Sequence, residues 1–356
     1  MTASLPVRTA VIGYGLAGAY FHAPFIATTP GMTVAAIVTA NPARREQARS
    51  EHPGAVVVAS VDELWAEAAG SGPDLVVVAT PNSVHVPLAL AALEHGCHVV
   101  VDKPFAATSA ACRQVMAAAE AARRVLSVFQ NRRYDGDFLT VQHLVRTGAL
   151  GGVHRFESRF ERWRPRANLG VWREGTEPDA AGGLLFDLGS HLIDQAVVLF
   201  GPVASVYCEC DQRRPGVAVD DDTFVALTHA NGVRSHLWAS SLAGQEGPRF
   251  RVLGSSGAYT SWGLDPQEDA LRAGGRPGSS DWGRVPEERW GRLGTAAPSA
   301  VETMPGDYGR YYREMHAAIT AGSPPPVAPA EATRVIELIE AAQRSAADRR
   351  VVRVDG

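Results

Sequence analysis

The segment "GGLLFDLGSHLID", Gly182 to Asp194, sets an acid, Asp187, and an imidazole, His191, four residues apart. Four residues is about one helical turn, so both side chains fall on one face of a helix that starts here. An unperturbed imidazole titrates near pH 6.5 and serves as proton donor or acceptor at neutral pH. A carboxylate one turn earlier can orient that imidazole or a substrate. The plain alternative is a capped helix with a core histidine. A third reactive group, Lys103, stands in "DKPF", just past the apolar run "HVVVD", with Pro104 holding its backbone extended. An ammonium beside a substrate oxygen stabilises a developing alkoxide, or polarises a carbonyl in the opposite direction.

A hydroxyl–carbonyl couple also needs somewhere for two electrons to go, and the N-terminus offers a place. "GYGLAG", residues 13 to 18, is G-x-G-x-x-G directly after the strand-like "TAVI". Gly13 permits the tight turn, Gly15 lets a pyrophosphate approach the backbone, and Gly18 lets helix and strand pack closely. Tyr14, Leu16 and Ala17 complete the loop, whose helix N-terminus presents free N–H groups to phosphates. NAD sites usually place an acid about 20 residues further on, at the end of the second strand. Here that position reads "VTANPARR", with Thr39 and Asn41 but no acid, and Arg44 and Arg45 follow. An arginine pairs with a 2′-phosphate where an acid would repel it, so NADP is favoured over NAD. "ATPNSVH", residues 79 to 85, puts Thr80, Pro81, Asn82 and His85 after a buried strand, where open α/β sheets bind ligands.

The elements that must carry these groups change along the chain. "TAVIGYG", "TVAAIVTA", "AVVVAS", "DLVVVAT", "CHVVVDKP" and "VLSVFQN" alternate with helical segments, the pattern of a doubly wound parallel sheet. After the Asp187–His191 helix come "SVYCECDQR", "TFVALTHA", "VRSHLWASSL", "RFRVLG" and "GAYTSW". With "HRFESRFERWR" they predict a mostly antiparallel sheet of about six strands. Residues 265 to 305, rich in Gly, Pro and Trp, read as an ordered excursion. The fold class is therefore α/β: a Rossmann domain at 1–129, then an α+β domain at 130–356 with an open sheet and C-terminal helices at 307–322 and 330–349.

Length and composition agree. The 356 residues exceed a typical single core, and 46% hydrophobic with 20% charged residues is ordinary for globular chains. A net charge of −4 gives no reason to expect nucleic acid or an anionic membrane. No apolar run approaches the roughly 20 residues that span a bilayer. Cys97, Cys112, Cys208 and Cys210 lack metal spacing or scaffold density, and the last two point the same way from a strand as small hydrophobes. A cytoplasmic protein with no metal is expected. An uncovered sheet face would expose an apolar patch, so a homo-oligomer, dimer or tetramer, is expected through it.

"GYGLAG", "TPNSVH", "DKP" and "GGLLFDLGSHLID", in this order, resemble the glucose–fructose oxidoreductase and inositol dehydrogenase family (Gfo/Idh/MocA) over essentially the whole chain. "FHAPFI", "NRRYDGDFLT", "DLGSHLIDQ" and "GLDPQEDALRAG" are similar to a subgroup with NADP-dependent scyllo-inositol dehydrogenases. The resemblance implies that Lys103 matches the lysine of the family's E-K-P, near nicotinamide and the reacting hydroxyl. It implies that Asp187 and His191 match the acid and histidine of D-x-G-x-H. Asp102 stands where the family has glutamate. The implied activity is hydride transfer between nicotinamide and a secondary hydroxyl of a cyclic polyol or sugar, with His191 as general acid/base.

For such a substrate, "FERWRPRANLGVWRE" brings Arg162, Arg164, Arg166, Trp172 and Arg173 near the expected cleft. Arginines donate to hydroxyls and tryptophan stacks on an apolar sugar face. Asn131, Arg132 and Arg133, at the domain junction, reach either ligand. Two alternatives stay open: a dehydrogenase of another sugar or sugar derivative, and a cofactor-binding regulator without catalysis. The presence of Lys103, Asp187 and His191 together argues against the regulator.

Overall fold

Short valine-rich strands such as "LVVV" and "HVVVD" have no polar face, so helices must cover them on both sides. The computed structural model describes residues 5–67, 72–168 and 181–354. In it β1 (Val7–Ile12), β2 (Met32–Val38), β3 (Val56–Val58), β4 (Leu75–Val78), β5 (His98–Asp102) and β6 (Leu126–Phe129) form one parallel sheet, ordered 3-2-1-4-5-6. Between them run α1 (Ala23–Thr28), α2 (Pro42–Glu51), α3 (Val61–Glu67), α4 (His85–Glu94) and α5 (Ser109–Ala122). The strand order reverses between β1 and β4, which opens a crevice beyond their carboxyl ends. Every motif with phosphate or hydride chemistry in the first third lies at that edge.

After α6 (Gly136–Arg146) the chain builds a second sheet. Its strands are β7 (Val153–Glu161), β8 (Val203–Asp211), β9 (Asp222–His229), β10 (Arg234–Ser240), β11 (Phe250–Gly254), β12 (Ala258–Ser261), β13 (Gly291–Gly294), β14 (Ser299–Val301) and β15 (Val352–Arg353). They lie in the order 14-13-12-11-7-10-9-8-15. Neighbours are antiparallel except β7 and β10. The mostly antiparallel open sheet expected from sequence is present, with nine strands where about six were expected. The additions, β13 to β15, are two to four residues long and have no run of alternating apolar residues to announce them.

One face of this sheet packs under α7 (Ser190–Phe200) and α10 (Pro329–Asp348), and there Val206, Cys208, Val225, Leu227 and Leu237 are buried. Cys208 and Cys210 do point the same way, with Sγ atoms 3.5 Å apart. The other face departs from the apolar patch expected for it. Arg159 stacks 4.0 Å over the Trp238 ring, Trp238 packs against Phe224, and Glu157 pairs with Arg159 and Arg251. It is an aromatic and charged surface, because charged residues of β7 and β11 interleave with the rings of β9 and β10.

The second half also returns to the first sheet. α9 (Gly309–Ala321) buries Tyr311 and Tyr312 against Phe129. Glu340 of α10 accepts from the Ser109 N–H at 2.7 Å and its hydroxyl at 2.9 Å, joining α10 to the start of α5. α8 (Gln267–Arg272) comes from the Gly/Pro-rich excursion and packs beside the helical turn after β1. Among the described residues no helix is long and apolar enough to cross a membrane.

Candidate active site

The three glycines after β1 do different jobs. Gly13 has φ +98°, and a Cβ there would run into the Ala79 carbonyl; one on Gly18 would run into the Gly13 carbonyl. The protein's own packing therefore demands both. A Cβ on Gly15 would meet nothing nearer than the Arg44 guanidinium, at 3.5 Å. Packing within the protein leaves the middle glycine unconstrained, and its bare backbone fits the close approach of a pyrophosphate. Gly13, Tyr14, Gly15, Leu16, Ala17, Thr39, Arg44, Thr80, Pro81 and Asn82 line one groove of about 520 Å³. Tyr14 contributes backbone, since its buried hydroxyl donates to Glu51 at 2.6 Å.

Beside the end of β2 the groove is basic, with Arg44 on its wall. Asn41 caps α2 by accepting from the Arg44 N–H at 3.1 Å, which starts the helix where Arg44 can reach over Gly15. Arg45 donates to the carbonyls of Thr39 and Ala40 at 3.3 and 2.8 Å, bracing the end of β2. Two predicted contacts fall elsewhere. His85 is buried with its ring nitrogens 3.0 Å from the Thr80 and Pro104 carbonyls, so it ties two loops together behind the groove. Asn131 lines the neighbouring cavity rather than the groove.

That cavity, about 200 Å³, shares Leu16, Ala17, Asp102 and Lys103 with the groove, so Lys103 stands on the wall common to both. Its ammonium donates to the Asp187 carbonyl at 2.7 Å and to Asp187 Oδ1 at 2.9 Å. Asp102, one carbon shorter than the family's glutamate, accepts from the Lys103 N–H at 2.8 Å. Its other oxygen lies 3.8 Å from Nε2 of His22, whose Nδ1 is 2.5 Å from the Tyr312 hydroxyl. Burial pushes the Asp102 carboxyl up, but His22, His85 and Lys103 outweigh it and hold it below the ordinary range. His22 escaped sequence reasoning because a histidine amid the apolar residues of a helix reads as packing.

The glycines before the second motif have a local reason. Gly183 has φ +89°, and a Cβ there would collide with the Asp220 carboxylate. Asp220 accepts from the Leu185 N–H at 2.7 Å through Oδ2 and from the Leu184 N–H at 3.0 Å through its carbonyl, pinning the helix start. A wide π-turn, Leu185–Gly189, precedes α7 and carries Asp187, and His191 follows in the first turn of α7. Asp187, His191 and Lys103 all line the cavity. His191 is 4% exposed, and Nδ1 has no hydrogen-bond partner among the described residues. Burial, then Lys103, Arg132, Arg249 and Arg162, push the imidazole well below its usual range, so at neutral pH it is a neutral proton acceptor.

Of the residues expected to hold substrate, Arg164 lines the cavity and Arg133 does not. The Arg133 guanidinium forms a fork on Asp194, at 2.8 and 2.6 Å, and reaches Glu331 at 2.6 Å. Its neighbour Arg132 takes the place on the wall, held by Glu268 at 2.7 Å. Arg162 also lines the cavity, as do Glu268 and Arg272 of α8. Sequence reasoning did not single out these last two, although "QEDALR" sets them at the i, i+4 spacing of an ion pair, here 2.9 Å. Trp172 and Arg173 lie outside the described residues.

Comparison with known proteins gives the family. Residues 7–130 match the model of the oxidoreductase family's NAD-binding Rossmann fold. Residues 142–354 match the model of that family's C-terminal alpha/beta domain. The chain is 41% identical to the oxidoreductase YdgJ of Escherichia coli over 353 residues, 96% of this chain and 97% of that protein. It is 33% identical to IolW of Bacillus subtilis, named scyllo-inositol 2-dehydrogenase (NADP(+)), over 98% of this chain and 96% of that one. The solved structure of yvaA from Bacillus subtilis superposes with a TM-score of 0.90 at 31% identity, covering 98% and 99% of the two chains. With both halves matched and the groove and cavity meeting at Lys103, the chain is an oxidoreductase of the Gfo/Idh/MocA family.

Proposed function

We propose that this oxidoreductase interconverts a secondary hydroxyl and a ketone on a cyclic polyol or sugar, of the scyllo-inositol/inosose type, with NADP. The observation that carries the reading is Lys103, which stands where cofactor groove and substrate cavity meet, beside a neutral His191. Bound in the groove, the nicotinamide serves as the two-electron acceptor or donor. In the oxidative direction the carbinol carbon gives up its hydrogen with both electrons. The hydroxyl proton passes to His191, leaving the carbonyl. The Lys103 ammonium stabilises the oxygen as negative charge develops, and Asp187 fixes that ammonium in place. Reduction runs the same moves backward, with protonated His191 as the acid.

Preference for NADP rests on Arg44 beside Gly15 and on the lack of an acid at the end of β2. The name of the Bacillus subtilis relative supports both cofactor and substrate class. D-glucoside 3-dehydrogenase of Escherichia coli, 30% identical over 202 residues, favours a second reading, another sugar ring at the same site. The uncovered face of the second sheet, with its rings and paired charges, supports assembly into a homo-oligomer, which light scattering on the purified protein tests.

The deciding experiment is the initial rate of NADP⁺ reduction with scyllo-inositol, followed by NADPH absorbance, in wild type and Lys103→Ala. Turnover that NAD⁺ does not match, and that the substitution removes, is the expected result. Tight NADPH binding without turnover overturns the inositol assignment and moves the search to other sugars.

A further inference from the structure

Among the described residues, the cavity wall carries five cationic side chains, Lys103, Arg132, Arg162, Arg164 and Arg272, against three acids, Asp102, Asp187 and Glu268. The acids are already engaged: Glu268 with Arg132 and Arg272, Asp187 with Lys103, and Asp102 with the Lys103 N–H beside His22. Among the described residues, Arg162 and Arg164 have no carboxylate within 4.0 Å and no side-chain hydrogen bond; their backbones hold them, the N–H groups donating to the Ser240 and Ser241 carbonyls at 2.9 and 2.7 Å and the carbonyls accepting from the Ala243 N–H at 3.1 Å and the Arg214 guanidinium at 3.4 Å. The same two arginines, with Asp187 and Leu188, also line a second hollow of about 230 Å³, to which Arg166 and Arg214 add two more guanidinium groups and Asp220 a carboxylate. This hollow lies on the far side of the cavity from the groove, with which it shares no lining residue.

A neutral ring does not require this arrangement. Asn, Gln or Ser donates to a hydroxyl without the repulsion of adjacent like charges. Burial and then Arg164 lower the Arg162 pKa, and the nearby Asp187 and Glu268 offset only part of that electrostatic cost. Two planar forks side by side match an oxyanion, which guanidinium groups grip with paired, charge-assisted hydrogen bonds. We propose that the substrate is an anionic ring: a polyol or sugar whose reacting hydroxyl lies at Lys103 and whose carboxylate or phosphate substituent sits between Arg162 and Arg164, facing the second hollow. This deepens the dehydrogenase reading above and rests on it for the placement of the reacting carbon, while the binding of the anion stands independently of turnover.

The test is calorimetric titration of the enzyme saturated with NADPH, so that anions cannot enter at Arg44. D-glucose, D-glucuronate and D-glucose 6-phosphate are the probes, and the last two distinguish a carboxylate from a phosphate. At least one anionic ring should bind ten or more times more tightly than glucose and weaken as salt rises. In Arg162→Gln and Arg164→Gln that advantage should fall to threefold or less. Circular dichroism and NADPH affinity check that each variant is folded. If neither anionic ring binds more tightly than glucose, or the advantage survives both substitutions, the inference is overturned. Anion binding without oxidation of any ring leaves this inference standing and sinks the dehydrogenase reading. Oxidation of scyllo-inositol without preferential anion binding does the reverse.

Discussion

Lys103 is bonded twice to the same residue: its ammonium donates to the backbone carbonyl of Asp187 at 2.7 Å and to the carboxylate at 2.9 Å. The first contact survives any substitution of Asp187; the second does not. Asp187→Asn therefore keeps the lysine near its place but removes the negative charge that balances it. Lys103→Met removes the charge that meets the substrate oxygen. Loss of one such electrostatic group costs about 10²–10³ in kcat. The expected order is Lys103→Met at that full loss and Asp187→Asn at a smaller one. NADPH affinity, read by fluorescence, should change less than threefold in Asp187→Asn, because Asp187 lines the cavity and not the groove.

The environment of His191 sets the acid side of the pH profile. Burial and four cations hold its pKa below the ordinary value of about 6.5, so the base stays neutral and competent in mildly acidic solution. The acidic limb of kcat/KM for oxidation should fall below pH 6.5, and His191→Gln should lower the plateau by about 10²–10⁴. Stability follows the same sign. The unfolded chain binds a proton at this residue before the folded one does, so the histidine's contribution is complete above about pH 6.5 and is lost as pH falls below it. The difference in Tm between wild type and His191→Gln should therefore change between pH 7.5 and pH 5.5, with wild type losing more. A difference that stays constant over that range sinks the assignment of a depressed pKa.

The readable parts of the site were those fixed by local chain geometry. Gly13, Gly15 and Gly18 follow a strand, and Asp187 and His191 open a helix, so spacing alone put them at element ends. Arg132 and Arg133 illustrate what spacing withholds. Adjacent residues in one short turn point to different sides, and the choice was made by Asp194 and Glu331, distant in sequence, which hold Arg133 away from the cavity. Glu268 and Arg272 arrive on a six-residue helix inside a Gly/Pro-rich excursion, where the length is too short for an amphipathic pattern. The uncovered sheet face was misjudged as apolar for a related reason. Half-exposed strands reveal which positions share a face, but not that Arg159 would lie over Trp238 from a neighbouring strand.

Cofactor recognition separates cleanly from folding at the glycine loop. Gly15→Ala adds a methyl group with 3.5 Å of clearance to the nearest protein atom, and an alanine there lowers unfolded-state entropy. Its stability should stay within about 1 kcal/mol of wild type, while NADPH affinity falls at least tenfold. Gly13→Ala meets both a positive φ and the Ala79 carbonyl, and should lose about 1–3 kcal/mol. Equal loss of stability in both variants would remove the argument that the middle glycine serves a ligand.

Arg44 is the residue on which nucleotide choice turns. If its guanidinium meets a 2′-phosphate, Arg44→Ala removes charge-assisted hydrogen bonds worth about 1.5–3 kcal/mol. The KM for NADP⁺ should then rise by a factor on the order of ten to a hundred, and that for NAD⁺ should move less than twofold. An equal rise for both would mean that Arg44 serves the pyrophosphate they share.

Arg133 should behave as a structural residue. Asp194 is 2% exposed, and the Arg133 fork is the partner that neutralises it. Removing one member of a buried pair strands the other, at a cost of about 3–5 kcal/mol. Arg133→Ala should therefore lower Tm sharply while the folded fraction retains the wild-type KM for the polyol. Arg133→Ala combined with Asp194→Leu should recover part of the lost stability, because no charge is left buried and the apolar side chain fills the space. A selective rise in KM, with Tm unchanged, would return Arg133 to the substrate site.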